Sequence, residues 1–190
     1  MRLYRKPLCF IDTETTGLEP DLHEVIEFAV IRVDPVSGSQ TSWSTKIKPE
    51  HIERAHPKAL EVNGYTPEEW ADAPLMSEVG HRIVELLRDG ILVGHNCSFD
   101  EAMLKASLKR AGVEGRIPYH KVDTVTLAYE HLVPYGLPSL SLDNIRRFLG
   151  WSLDGAHTAM QDAEDAKRLY EILSGGLSRE VIARLMGVDR

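Results

Sequence analysis

Three strand-like stretches stand together near the start of this chain, and only after them do strand and helix patterns alternate. Leu8 to Asp12 is a short apolar run that reads as a buried strand. Val25 to Val33, "VIEFAVIRV", is rich in β-branched residues, and Thr41 to Ile47 alternates polar and apolar. The turn cluster Asp34-Pro35-Val36-Ser37-Gly38 joins the second stretch to the third, so the three are expected to pair as an antiparallel meander. Residues 49–74 hold several prolines and read as loops and short helical turns. Leu75 to Arg88 then carries Val79, Ile83, Leu86 and Leu87 at helical spacing and stops before Asp89-Gly90. Ile91 to Gly94 is a short strand, Phe99 to Ala111 a helix with Met103, Leu104 and Leu108 inward, and Val122 to Thr124 another short strand. Further helices are expected at Thr124–His131, at Ser141–Leu149 with Ser141 as cap, at Ala159–Leu173 and at Ser178–Met186. This order predicts an α/β domain over residues 1–173, a mixed sheet of meander plus parallel strands flanked by helices. A tail with a short helix follows over 174–190.

With 190 residues the chain suits one domain with a core of its own. Its formal net charge of -7 argues against a protein that coats long nucleic acid through backbone electrostatics. It is compatible with a grip on a few nucleotides in a cleft whose bound cations reverse the local charge. No run reads as a membrane span, and the first residues lack the pattern of a signal peptide. Cys9 and Cys97 are the only cysteines, which points to free thiols in a reducing compartment. A cytoplasmic location without a membrane partner is the expectation.

Acids gather in three places. In "FIDTETTG", Asp12 and Glu14 are two residues apart, and the period of a strand aims them the same way. Like charges this close repel unless a cation compensates, and hard oxygen ligands favour Mg²⁺ or Mn²⁺. A strand reaching solvent is the plainer alternative. In "VGHNCSFD", a strand ends at Gly94 and Asp100 opens the next helix, where N-cap and ligand are both open roles. His95 and Asn96 read as structural or substrate-touching groups. In "HTAMQDAEDA", His157 stands at a helix start and Asp162 lies inside the helix, on a face shared with Ala159, Ala166 and Leu169. An acid on an inward face needs a partner, and spacing alone leaves Asp165 as a rival to Asp162. Lys105, Lys109, Arg110 and Arg116 read as the solvated side of a helix and its exit.

Taken together, "DTETTG", "HNCSFD" and "HTAMQD" resemble the three motifs of the DEDDh 3'-5' exonucleases, from about Leu8 to Leu173. Members include the proofreading epsilon subunit of bacterial DNA polymerase III and ribonuclease T. The resemblance implies a ribonuclease H-like fold and selects Asp162 over Asp165. It implies two Mg²⁺ or Mn²⁺ ions, with Asp12, Glu14 and Asp162 on one and Asp12 with Asp100 toward the other. It makes His157 the general base, consistent with an imidazole that titrates near neutrality. It implies contacts to a single-stranded 3' end from the backbone at Thr15, from Leu18 as a wedge and from Phe99 near the terminal sugar. Asn63 stands where many relatives carry histidine. DNA is favoured over RNA, in proofreading or end trimming. An exoribonuclease and an inactive nuclease-fold binding module are the alternatives. The tail is open to three roles: a packing helix, an oligomer contact, or a docking peptide for a polymerase.

Overall fold

The computed structural model describes residues 3–174. Its strands are β1 (Leu8–Thr15), β2 (Val25–Val33), β3 (Gln40–Lys46), β4 (Ile91–Gly94) and β5 (Lys121–Asp123). They form one sheet in the order β3-β2-β1-β4-β5. β2 pairs antiparallel with β1 and with β3, while β4 and β5 run parallel to β1. The expected meander plus parallel strands is therefore what the chain builds. The helices are α1 (Pro57–Val62), α2 (Met76–Leu87), α3 (Cys97–Arg110), α4 (Thr124–Leu132), α5 (Leu142–Phe148) and α6 (Ala159–Ser174). None of them is long and apolar enough to cross a membrane. The helix expected at Ser178–Met186 lies outside the described residues.

Alternation along β1 assigns the two faces of the sheet. Cys9 and Ile11 face a core shared with Phe28, Val30 and Leu92 and with α2 and α3. Phe10 faces the other way, toward Ala29, Ile31, Val93 and the α6 residues Ala159 and Ala163. Asp12 and Glu14 continue the Phe10 series, so the same period that buries Phe10 aims both acids at α6. A third cluster, built on Ala128, Leu132, Ile145, Leu169 and Leu173, ties α4 and α5 to α6.

β1 is longer than its apolar run predicts. It continues past Asp12 to Thr15 because Thr13, Glu14 and Thr15 each have partners on β2. Cross-strand pairing here overrides the low strand propensity of acidic residues. On its other side β1 overshoots its neighbour, since pairing with β4 is confined to Leu8, Cys9 and Phe10. The acid-bearing half of β1 is thus open on that edge. This is the carboxyl end of the parallel strands, where α/β sheets place their ligands.

Candidate active site

One carboxylate oxygen from each of Asp12, Glu14 and Asp162 lies within 4.8 Å of the other two. Two of these acids come from one strand, and α6 delivers the third from its first turn. Burial and repulsion shape the two strand acids. Desolvation, then Asp100, Asp162, Glu14 and Glu27, push the Asp12 carboxyl well above its ordinary range. Desolvation followed by Asp162 and Glu27 raises Glu14 to about 8. Of the three acids only Asp162 meets an arginine, Arg146 at 2.7 Å, so the charge of the two strand acids leaves the site prepared for a cation.

Asp100 stands beside this trio. It is buried, and its Oδ1 accepts a hydrogen bond of 2.8 Å from the Thr13 hydroxyl. Desolvation raises its carboxyl to about 7 against the lowering effect of that bond. Asp100 does not open its helix. α3 begins at Cys97, and its N-cap is Asn96 in the left-handed conformation, φ 69°. The turn after Gly94 is so tight that the helix starts before the first acid arrives, and Asp100 lies inside the first turn. Asn96 itself is exposed and donates its backbone N–H to Asp123 Oδ1. His95 is structural: its Nε2 lies 2.7 Å from the Leu140 carbonyl and its Nδ1 2.9 Å from the Thr124 hydroxyl.

His157 sits in the loop before α6 with φ 66°, a left-handed conformation that non-glycine residues adopt under constraint. Its backbone N–H donates to Asp162 Oδ1 at 3.2 Å, and its Nε2 lies 3.5 Å from Asp143 Oδ2. The imidazole is half-exposed, beside the acids rather than buried under them.

The residues expected to meet a nucleotide surround the end of β1. A register shift falls between Glu14 and Thr15, a bulge of the kind that re-aims backbone beside active sites. Asn63 donates from Nδ2 to the Thr15 carbonyl at 3.0 Å and accepts the Tyr65 N–H, so it serves as a tie between the α1 segment and β1. Leu18 is 78% exposed at the tip of the following turn. Phe99 is partly buried against the α2/α3 core. Under the tip, Gly17 lies against the His23 ring, so closely that an added Cβ would come within 2.4 Å of it. Arg110 is exposed, as its helix position suggested, and it also donates to the carbonyls of Pro20 and His23, which makes it a clamp on this loop.

Three residues near the site were not expected. Glu27 pairs with Glu14 across the sheet and accepts the Ala159 N–H at the start of α6. Asp143 faces His157, and Arg146 bridges Asp143, Asp162 and Asp165. Arg146 had a legible signal. It lies four residues after Leu142 and three before Leu149, on the apolar stripe of its helix. Glu27 carried none, because only strand register brings it to Glu14.

Comparison with known proteins follows this geometry. The family model described as exonuclease, RNase_T, matches residues 9–170. The chain is 33% identical over 164 residues to "DNA polymerase III PolC-type" of Thermotoga maritima, covering 84% of this chain and 11% of that protein. It is 27% identical over 159 residues to "DNA polymerase III subunit epsilon" of Treponema pallidum, covering 84% and 72%. The chain thus spans about a tenth of the PolC-type relatives. Among solved structures, the fold matches E. coli exonuclease I in complex with a dT13 oligonucleotide, with TM-score 0.74, 24% identity, and 90% of this chain against 42% of that one. The zinc-bound form of the exonuclease I complex with single-stranded DNA matches at TM-score 0.76 and 24% identity, covering 96% and 42%. These matches bear out the expected ribonuclease H-like fold.

Proposed function

Because the chain belongs to the RNase_T exonuclease family, we propose that it is a metal-dependent 3'-5' exonuclease acting on single-stranded DNA. It would release nucleoside 5'-monophosphates in proofreading or end trimming. The observation that carries this reading is the convergence of Asp12, Glu14 and Asp162 at the open end of β1. Three carboxylates, Asp12 and Glu14 with raised pKa and Asp162 held by Arg146, offer the hard oxygen donors that fit Mg²⁺ or Mn²⁺. Asp12, Glu14 and Asp162 would hold one ion, and Asp12 with Asp100 a second. Such ions supply Lewis-acid stabilisation of the phosphate and an acidified water.

The chain's own groups supply the rest. With Nε2 lying 3.5 Å from Asp143 Oδ2, His157 would present Nδ1 to take the proton of the attacking water. The bulge at Thr15 offers backbone to the terminal 3'-hydroxyl, and exposed Leu18 offers an apolar surface to the last bases. Asn63 acts by holding Thr15, and Phe99 by backing the terminal sugar. Asn96, exposed at the start of α3, would contact the strand. DNA as substrate and a polymerase as neighbour are supported by the names of the epsilon and PolC-type relatives, and a cytoplasmic setting is part of the same reading.

The test uses 5'-labelled single-stranded DNA and RNA with Mg²⁺, Mn²⁺ or EDTA. The expected result is a ladder shortening from the 3' end of DNA, abolished by EDTA. His157→Ala should slow it by roughly 10²–10⁴-fold, the usual contribution of a general base. Degradation of RNA alone would replace DNA by RNA as substrate. Intact DNA and RNA under every metal condition would rule out the enzyme reading.

A further inference from the structure

Arg146 keeps 1% of its surface exposed, yet its guanidinium meets three carboxylates. Nε donates to Asp165 Oδ2 at 2.8 Å, Nη1 to Asp143 Oδ1 at 3.0 Å and Nη2 to Asp162 Oδ1 at 2.7 Å. Asp162 Oδ1 also accepts the His157 N–H, and the other oxygen of Asp143 faces the His157 ring. The connections close a loop: Arg146 to Asp162 to the His157 backbone, and Arg146 to Asp143 to the His157 imidazole. An arginine cannot lose its proton in a protein, and its planar fork fixes direction as well as charge. Asp162 Oδ1 is therefore committed to two donors, which leaves Oδ2 to ligate an ion. His157, left-handed at φ 66°, thus has its backbone N–H held by Asp162 while its ring lies 3.5 Å from Asp143.

We propose that Arg146 is a positioning residue of the active site: a resident cation on α5 that orients Asp162 for metal and His157 for its proton transfer. This inference rests on the metal-site reading above. It predicts an effect opposite in sign to simple electrostatics. A permanent positive charge beside a metal site repels metal, so its removal alone would tighten binding. If Arg146 acts through orientation, its removal loosens binding, as loss of the groups that orient metal ligands commonly does by 10- to 100-fold.

The experiment titrates Mn²⁺ into the whole protein without nucleic acid, following free Mn²⁺ by electron paramagnetic resonance. Arg146→Met is combined with Asp165→Asn so that no buried carboxylate loses its partner outright. Arg146→Lys is measured beside it, because one ammonium keeps the charge but cannot span three carboxylates. The expected result is Mn²⁺ affinity weaker by about 10-fold or more in the double variant, and weaker by a smaller factor in Arg146→Lys. Unchanged affinity with a lowered melting temperature would reduce Arg146 to a packing role, and tighter binding would make it a competitor of the metal. Either result overturns the proposal. Should the double variant fail to fold, Arg146→Lys alone decides: wild-type affinity in it overturns the proposal. A wild-type protein that binds no Mn²⁺ at millimolar concentration overturns the metal-site reading itself and the inference with it.

Discussion

At the scale of single residues, the candidate site places acids where they oppose one another. Asp12 faces Asp100, Asp162, Glu14 and Glu27, each of which makes its ionisation harder. Replacing it by an isosteric neutral group should relieve that repulsion. In EDTA at pH 8, Asp12→Asn is expected to be more stable than wild type by about 0.5–2 kcal/mol, the range usual for relieving unfavourable charge. The same variant should lose the rise in melting temperature that Mn²⁺ gives the wild type, since a ligand bound by the folded state alone stabilises it. Thermal melts with and without Mn²⁺ check both halves, and a destabilised Asp12→Asn would show that repulsion is not what this residue contributes. The aim of Asp12 and Glu14 was legible in the sequence because strand period alone fixes it. Arg146 was passed over because "LDNIRRFL" reads as an ordinary amphipathic helix unless the apolar stripe is traced through it. Asp143 and Glu27 were invisible, since each acquires its role from a neighbour far away in sequence.

Among the elements, the loop from Gly17 to Glu24 shows how a presenting surface is held. His23 fills the space under Gly17, its Nδ1 accepts the Glu19 N–H at 2.9 Å, and Arg110 grips two carbonyls of the loop. Gly17→Ala forces a methyl group into the imidazole. The expected cost is about 1–3 kcal/mol, as for other overpacked sites, together with weaker substrate binding as Leu18 is displaced. Adding His23→Ala should recover most of the loss. Urea denaturation of the single and double variants measures it, and a double variant no better than the single would place the strain elsewhere. Strands were read well from sequence, with Val25–Val33 and Ile91–Gly94 recovered to the residue. The helix starts at Leu75, Thr124, Ser141 and Ala159 were legible too, and α3 is the one that was missed. Asn96 in the left-handed region begins α3 ahead of Phe99, and a positive φ on a non-glycine residue leaves little trace in composition.

For the whole molecule, the buried acids couple stability to pH. A carboxyl group whose pKa is raised in the fold keeps its proton where the unfolded chain has already released it. The folded state then binds more protons, so stability falls as pH rises from the ordinary value through the raised one. For Glu14 that window runs from 4.5 to about 8, and for Asp100 from 3.8 to about 7. The metal-free protein is thus expected to melt at progressively lower temperature between these limits, with Mg²⁺ restoring most of the loss at the alkaline end. Melting curves in EDTA and in Mg²⁺ across that range test it, and a metal-free stability that climbs toward pH 8 would contradict it. The overall architecture was legible because three strands precede the first alternation of strand and helix. The convergence of the site was not, because it depends on α6 packing over β1. That packing also has a consequence in time. The first two acids lie on β1 and Asp162 in the last described helix, so the ribosome makes the whole sheet before the third acid of the cluster exists. A nascent chain halted short of α6 carries Asp12 and Glu14 but lacks Asp162, so the three-acid cluster forms only once α6 has been made and packed.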